Sequence, residues 1–339
     1  MARSMPTLGP PPQQGSAGKF LLLVALIGSG GGYYWWKKHH APEAAPPPAA
    51  VAQASAPQPV AAPAAPPADP VAQAGLKLAS VHINGPLEAA LVEAAGHEMG
   101  PALAQVVTRS LVWWVEVPGD FRKNDKLDVL YEERPGQEPL VHAVRFESSK
   151  LGKSFRAYRY QPQGESFARY YQPSGEELEM RLEPSPLDDY EQVTSLIRDG
   201  RHHKGVDFKT PVGSPVKATF AGVITRKNWN WRSNGNCLEL STSSGRKAMF
   251  LHLSELPKTI NVGDRVQVGQ VIAHSGNTGH SFAPHLHYQL MLGEERVLDP
   301  FDVHKSYRRS IAQVAKAGLD TEIQRLDGLM SGGKTVATK

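Results

Sequence analysis

The sequence predicts a mainly β protein in which a C-terminal antiparallel β domain follows a small α+β module and a β-rich segment, with a helix at the end. Short segments that alternate between apolar and polar residues recur from 141 to 182, separated by glycine and proline turns. Such alternation is typical of half-buried strands. Short strands and tight turns continue from 193 to 300. Apolar residues at helical spacing between 304 and 330 then predict one or two amphipathic helices.

The α+β module is predicted from two kinds of periodicity ahead of residue 140. Residues 87–92 and 103–107 have the apolar spacing of a helix. Residues 126–131 alternate like a strand. This part of the chain is therefore expected to pack helix against sheet.

Changes in composition divide the chain into seven segments. Residues 41–74 are almost wholly alanine, proline, glutamine and valine, a composition that favours an extended tether over a packed core. The expected segments are an N-terminal tail (1–18), a transmembrane anchor or signal (19–37), an alanine- and proline-rich linker (38–74), the α+β module (75–140), a β-rich intermediate segment (141–192), the C-terminal β domain (193–303) and a helical tail (304–339).

The segment from 20 to 36 carries no charge and ends in two tyrosines and two tryptophans, followed by two lysines. As a helix it would span roughly 26 Å, close to the ~30 Å hydrocarbon core of a bilayer. Clustered aromatic residues fit the membrane interface. A retained anchor is one interpretation, and a cleaved signal peptide is the other. The Ala-Gln-Ala sequence at 52–54 lies far beyond the usual distance of a cleavage site from the apolar run.

Charge and cysteine content exclude several classes of function. The net charge of +4, with a pI of about 9.0, attracts anionic surfaces only weakly. No basic stripe with interleaved aromatic residues occurs, so we expect no nucleic-acid partner. The single cysteine, Cys237, excludes an intramolecular disulfide and a cysteine-based zinc cluster, and its alternating surroundings favour a small buried hydrophobe. A metal site must therefore come from histidine and carboxylate.

Three short patterns bring such residues together. They are His203-Lys-Gly-Val-Asp207, Phe250-Leu-His252-Leu-Ser254 and Pro284-His285-Leu-His287-Tyr288. Zinc takes about four ligands, among them imidazole nitrogen and carboxylate oxygen, and a catalytic site leaves one position for water. His285 and His287 are two residues apart in a predicted strand, so both are expected to face one cavity. One of them can bind metal while the other acts on the water. Neither the His-x-His pattern nor the His-x-x-x-Asp pattern identifies a metal site alone. The prediction depends on all three patterns occurring together in this order.

This set closely resembles the lysostaphin/LytM-type zinc peptidase domain over about 195 to 302, with further similarity at 211–216, 262–272 and 275–279. The resemblance implies a LytM-type antiparallel β-sheet fold and a Zn²⁺ cofactor. It implies zinc ligands at His203, Asp207 and His287. It also implies that His252 and His285 are catalytic and act on the attacking water and the developing oxyanion, without saying which of them is the general base.

Some positions depart from the pattern of the family. Phe250 stands where tyrosine is common, and His274 and His280 stand where other residues are frequent, so we expect both histidines to be structural or on the surface. His202 adjoins His203, but the spacing to Asp207 and the Lys-Gly that follows favour His203.

A weaker resemblance covers about 76 to 185, carried by runs at 121–131, 152–158 and 170–175. They are similar to the N-terminal region of Gram-negative peptidoglycan endopeptidases of this family. There, an opacity-associated/LysM-like module precedes the peptidase domain and can cover its cleft. The resemblance implies a Gram-negative periplasmic setting, and the uncharged run at 20–36 predicts that one N-terminal span holds the protein at the inner membrane. The resemblance also implies cleavage of D,D-type cross-links between stem peptides rather than of pentaglycine bridges.

The sequence therefore predicts a zinc-dependent endopeptidase of peptidoglycan in cell-wall remodelling, with its N-terminal module limiting access to the site. One alternative is a non-catalytic LytM-like factor that binds and activates another wall hydrolase, although relatives of that kind have lost zinc ligands. A second alternative is a wall-binding tether in which the metal site does not matter. The sequence does not identify a regulatory protein partner.

Overall fold

The computed structural model describes residues 69–197 and 203–332. The expected N-terminal tail, the apolar segment and most of the linker lie outside these residues, as do His202 and the last seven positions. Within the described ranges, no helix is long and apolar enough to cross a membrane.

The first five strands form an antiparallel sheet. They are β1 Lys77–Ile83, β2 Asp125–Glu132, β3 Leu140–Ser148, β4 Lys153–Tyr160 and β5 Arg169–Tyr171, paired in chain order. The short helix α1 (Pro70–Gln73) precedes β1, and the long helix α2 (Leu87–Leu111) connects β1 to β2. The chain turns within α2 at Gly96, which adopts a φ of 84°. The predictions of helix at 87–92 and 103–107 and of strand at 126–131 are confirmed.

The apolar sides of α2 and of this sheet form one core. Its fully buried members include Leu91, Leu103, Val107, Leu127, Val129 and Phe146. Since the sheet continues from β2 through β3 to β5, it crosses the boundary expected at 140/141.

The remaining strands are short and mostly belong to a second sheet. In chain order they are β6 Arg181–Glu183, β7 Gln192–Ser195, β8 Val206–Lys209, β9 Pro215–Lys217, β10 Gly222–Lys227, β11 Asn236–Ser241, β12 Arg246–Leu253, β13 Arg265–Val266, β14 Val271–His274, β15 His285–Leu292, β16 Arg296–Leu298 and β17 Lys305–Tyr307. The second sheet is antiparallel, with the order β13-β10-β11-β12-β15-β8-β7 and β16 beside β15. Strands β9 and β14 form one separate pair, and β6 and β17 form another.

The second sheet has its own core, and strand alternation decides which side chains enter it. Leu286, Tyr288 and Leu290 of β15 are buried with Phe208 of β8, so the residues between them point to the opposite face. Cys237 is fully buried in β11 and unpaired, as expected of a small hydrophobe. The mainly β fold predicted from the sequence is confirmed.

Three further helices follow β10: α3 (Trp231–Asn234), α4 (Pro300–Val303) and α5 (Gln313–Gly332). Helix α5 returns to the first sheet, where Leu326 and Met330 pack with Val71 and Tyr158. The carboxylate of Asp327 accepts a hydrogen bond from Tyr158 Oη at 2.8 Å. A C-terminal amphipathic helix was predicted from residue 304, but β17 occupies the first part of that range.

Apolar and charged contacts join the part of the chain ahead of β7 to segments that follow β16. The ring of Trp113, just after α2, meets Phe301 of α4 edge-on with centroids 5.4 Å apart. The carboxylate of Glu177, 2% exposed, accepts from Arg181 Nε at 2.7 Å and Arg309 Nε at 2.8 Å. Paired, hydrogen-bonded charges of this kind can be buried without leaving an unsatisfied ion.

Candidate metal centre

The pairing of β8 with β15 places Asp207 opposite His287. Both lie on the face away from the core, and His287 Nδ1 is 2.9 Å from Asp207 Oδ1. His203 lies just before β8 and directs Nε2 to the same point, 3.0 Å from His287 Nδ1 and 3.4 Å from Asp207 Oδ1. The structure therefore brings together the three residues predicted as metal ligands.

The donor set and its spacing fit a zinc ion. Ligand atoms about 2.1 Å from a tetrahedral zinc lie roughly 3.4 Å from one another. The separations of 2.9, 3.0 and 3.4 Å among the three atoms are close to that value. Two imidazole nitrogens and one carboxylate oxygen also match the ligands that zinc takes in catalytic sites.

The carboxyl group of Asp207 is held in its charged form. Burial alone would raise its pKa, but the hydrogen bond from His287 and the nearby His203 and His285 outweigh that effect, so the pKa lies below its usual value. Asp207 is therefore a carboxylate at neutral pH and is ready to bind a cation.

Gly205 allows the strands of this site to approach closely. A Cβ atom at this position would lie 2.7 Å from the Cε1 and Nε2 atoms of His287 and from the carbonyl oxygen of Tyr288. Only glycine leaves that space, so the middle of the His203-to-Asp207 motif is a packing requirement of the site.

His252 reaches the cleft from the end of β12, where its backbone has an unusual conformation. The pairing of β11 with β12 shifts register between Asn236 and Leu238, and His252 has a φ of 60°. Bulges of this kind re-aim a side chain, and a left-handed non-glycine residue held by its surroundings often marks a functional site. The imidazole is thereby directed towards His285, with ring centroids 4.8 Å apart.

A hydrogen bond fixes the ring of His252. Its Nδ1–H donates to the carbonyl oxygen of Thr278 at 2.9 Å, which leaves the lone pair on Nε2. Burial lowers the pKa of His252 to about 4, against the opposing effect of that hydrogen bond. His252 is therefore neutral at pH 7.

His285 is held in a similar way at the start of β15. Its Nδ1–H donates to the carbonyl oxygen of Ala283 at 2.8 Å, with Ser281 Oγ at 3.1 Å. Its Nε2 lies 3.8 Å from Asp207 Oδ1. The two histidines expected to act beside the metal therefore lie next to the predicted ligands, and alternation along β15 predicts this for His285.

His203, Asp207, His252 and His287 border a cavity of about 620 Å³. In the described part of the chain, its other lining residues include Ser195, Lys204, Ser233, Asn234 and Gln289. His280 is one of them, and its ring meets the exposed ring of Phe282 with centroids 5.1 Å apart. His274 lies in β14 and is not among the lining residues.

Three residues of the site were not predicted from the sequence. Ser195 Oγ lies 2.8 Å from His203 Nδ1, and Gln289 Oε1 lies 3.3 Å from His287 Nε2. Gly205 is the third. Gly205 and Gln289 could have been found from their places, inside one motif and two residues beyond another, whereas no pattern in the sequence points to Ser195.

Comparison with known proteins gives a family match over the C-terminal part of the chain. Residues 201–300 match the family model of Peptidase family M23. The C-terminal part of the chain carries an M23 peptidase domain. The glycyl-glycine endopeptidase ALE-1 of Staphylococcus capitis is 44% identical over 94 residues, which are 27% of this chain and 25% of that protein.

A second relative matches beyond the M23 domain. The peptidoglycan DD-endopeptidase ShyC of Vibrio cholerae is 28% identical over 192 residues, which are 53% of this chain and 42% of that protein. The chain thus spans less than half the length of each of these curated relatives. A zinc-containing peptidase from Vibrio cholerae is 26% identical over 66% of this chain and 69% of that one, with a TM-score of 0.32.

Proposed function

We propose that this protein is a zinc-dependent endopeptidase that hydrolyses peptide cross-links of peptidoglycan. The observation that carries the proposal is the convergence of His203 Nε2, Asp207 Oδ1 and His287 Nδ1 beside two further histidines. The D,D-endopeptidase type is favoured over cleavage of glycine bridges because the match to the DD-endopeptidase covers 53% of this chain. The match to the glycyl-glycine endopeptidase covers 27%.

The three donor residues would hold the zinc ion. When bound, zinc supplies a Lewis acid that polarises a peptide carbonyl and makes water a nucleophile near neutral pH. The remaining steps depend on the two histidines of the cleft. His252, neutral because its pKa is lowered by burial, accepts a hydrogen bond from the attacking water at Nε2 and orients it.

His285 is the group that we expect to take the proton. Its Nδ1–H is already donated to Ala283, so that Nε2 carries the lone pair. Once charged, the ring lies 3.8 Å from the carboxylate of Asp207, which stabilises an imidazolium. The same group can then return the proton to the departing amine.

The alternative of a non-catalytic activator of another hydrolase is not favoured. Such a factor needs no intact donor set, whereas His203, Asp207 and His287 converge here and both flanking histidines are present.

The proposal is tested on purified peptidoglycan sacculi with the full chain in detergent. We expect cross-linked muropeptides to decrease, a chelator to stop the reaction, and one equivalent of zinc to restore it. Muropeptide chromatography and metal analysis provide the two readouts. Absence of stoichiometric zinc would exclude the proposed chemistry and favour the activator, whereas stoichiometric zinc without any loss of cross-links would contradict the endopeptidase activity.

We further propose that the part of the chain ahead of β7 restricts access to the site. It lies beside the cleft. Ser195 lines both the larger cavity and a cavity of about 260 Å³ between α2 and residues 193–196. Among the described residues, none from 69 to 192 lines the larger cavity itself. The restriction would therefore act at the rim of the larger cavity, where an extended peptidoglycan chain must pass.

Replacing Trp113 with alanine tests this restriction in the full chain. The change removes the contact with Phe301 and leaves every residue of the metal centre in place. We expect activity to rise, and to rise more on intact sacculi than on soluble cross-linked peptides. Unchanged or lower activity on both substrates, in a variant whose circular dichroism matches that of the wild type, would contradict the restriction.

We also propose a periplasmic location with residues 19–37 as an inner-membrane anchor. The uncharged run and the proline-rich tether after it support this, since a tether lets a catalytic domain reach the wall. Protease treatment of spheroplasts is expected to digest the domain while the intact inner membrane protects cytoplasmic proteins. A protected domain would contradict this location.

A further inference from the structure

Strand β7 adds an edge to the second sheet just before the region that matches the M23 family model. Its last residue, Ser195, is only 7% exposed. The pairing with β8 shifts register, so that Val193 lies opposite Phe208 and Ser195 opposite Asp207. Without this bulge, Thr194 would take the place opposite Asp207. The bulge therefore moves the Ser195 side chain to the metal centre.

At that position, the hydroxyl of Ser195 meets the outer nitrogen of a predicted ligand. Ser195 Oγ is 2.8 Å from His203 Nδ1, while His203 Nε2 faces the other donor atoms at 3.0 and 3.4 Å. A ligating Nε2 must offer its lone pair, so the proton of the neutral ring lies on Nδ1 and is donated to Ser195. Such a partner fixes both the tautomer and the ring orientation of a ligand histidine.

The strand that carries Ser195 is itself held in place. The backbone N–H of Val193 donates to Glu179 Oε2 at 2.9 Å, and β8 pairs along the other edge. Ser195 borders both the cavity between β7 and helix α2 and the larger cavity of the metal centre. The strand therefore holds the hydroxyl of Ser195 in place.

We propose that Ser195 is a positioning residue of the metal centre, which holds His203 in the tautomer and orientation that metal binding needs. This inference rests on the proposed function, because it requires His203 to be a zinc ligand. It extends the functional unit beyond the matched region, since an edge strand outside residues 201–300 supplies part of the support.

A pair of variants of nearly equal shape provides the test. Ser195→Thr keeps the hydroxyl, and Ser195→Val replaces it with a methyl group. Zinc affinity is measured on the full chain by competition with a chromogenic chelator, and the visible spectrum of the cobalt-loaded protein reports ligand geometry. We expect Ser195→Val to bind zinc about 10- to 100-fold more weakly with an altered cobalt spectrum. Ser195→Thr should stay close to wild type.

Controls separate this proposal from general effects on the strand. Gln192→Ala, at the start of β7, is expected to leave zinc affinity unchanged. Ser195→Ala serves as a smaller hydroxyl-free variant if valine prevents folding. Wild-type affinity in both hydroxyl-free variants, or equal losses in Ser195→Thr and Ser195→Val, would overturn the proposal. A wild-type chain that binds no zinc would instead overturn the proposed function, and this inference with it.

Discussion

Alanine in place of His203 is expected to abolish tight zinc binding and to lower endopeptidase activity by at least ~1,000-fold, equivalent to about 4 kcal/mol of barrier. The change leaves only Asp207 and His287, which then hydrogen-bond to each other across 2.9 Å. Two donors do not make a catalytic zinc site, which takes three protein ligands and a water. Metal analysis and muropeptide release measure the two losses.

The neighbouring histidine provides a matched control. His202→Ala removes the same side chain one residue earlier and should retain stoichiometric zinc and activity. Zinc loss in His202→Ala together with retention in His203→Ala would reverse the assignment of the ligand.

The Gly205→Ala variant is expected to lose both stability and zinc affinity. The added methyl group would lie 2.7 Å from the His287 ring and from the Tyr288 carbonyl oxygen, so the strands must move apart or the ring must tilt. Overpacking of a buried site costs typically ~1–3 kcal/mol, and a tilted ring moves Nδ1 away from the other donor atoms. Thermal unfolding of the metal-free protein and chelator competition measure the two effects separately.

Gly328→Ala in helix α5 is the control for this change. The added methyl group meets nothing within 4 Å, and alanine is favoured over glycine within a helix by roughly 0.5–1 kcal/mol. We therefore expect a small gain in stability and unchanged zinc binding. A Gly205→Ala protein with wild-type melting temperature and zinc affinity would show that the strands at the site are looser than the structure indicates.

The parts of the site set by local alternation were predictable from the sequence. His285 and His287 share a face because strands alternate, and that holds whatever the strand pairs with. Ser195 was not predictable, because its position depends on a bulge against β8 that no local pattern encodes. The resemblance implies a catalytic role for His252, but local alternation does not predict its left-handed backbone, which accompanies a register shift between β11 and β12.

The fold shows the same division. The apolar spacing in α2 and α5 predicts helices, and each has a buried face. Periodicity identifies an apolar face but not the surface that covers it, so the return of α5 to the first sheet could not be predicted. The boundary expected at 140/141 was based on the residue pattern along the chain. It falls at the start of β3, which pairs with β2 in the same sheet.

The packing of α5 on the first sheet also determines when the first sheet can finish folding. The cluster that joins Val71 and Leu130 to Leu326 and Met330 spans nearly the whole described chain. Its N-terminal members are synthesised first and stay uncovered until α5 has been made. Contacts of such long sequence separation form slowly, and apolar surface left uncovered meanwhile favours aggregation and proteolysis. A chain that stops before residue 313 would contain every residue of the metal centre but would leave this cluster open. Such a chain would expose the apolar side chains of this cluster to proteases.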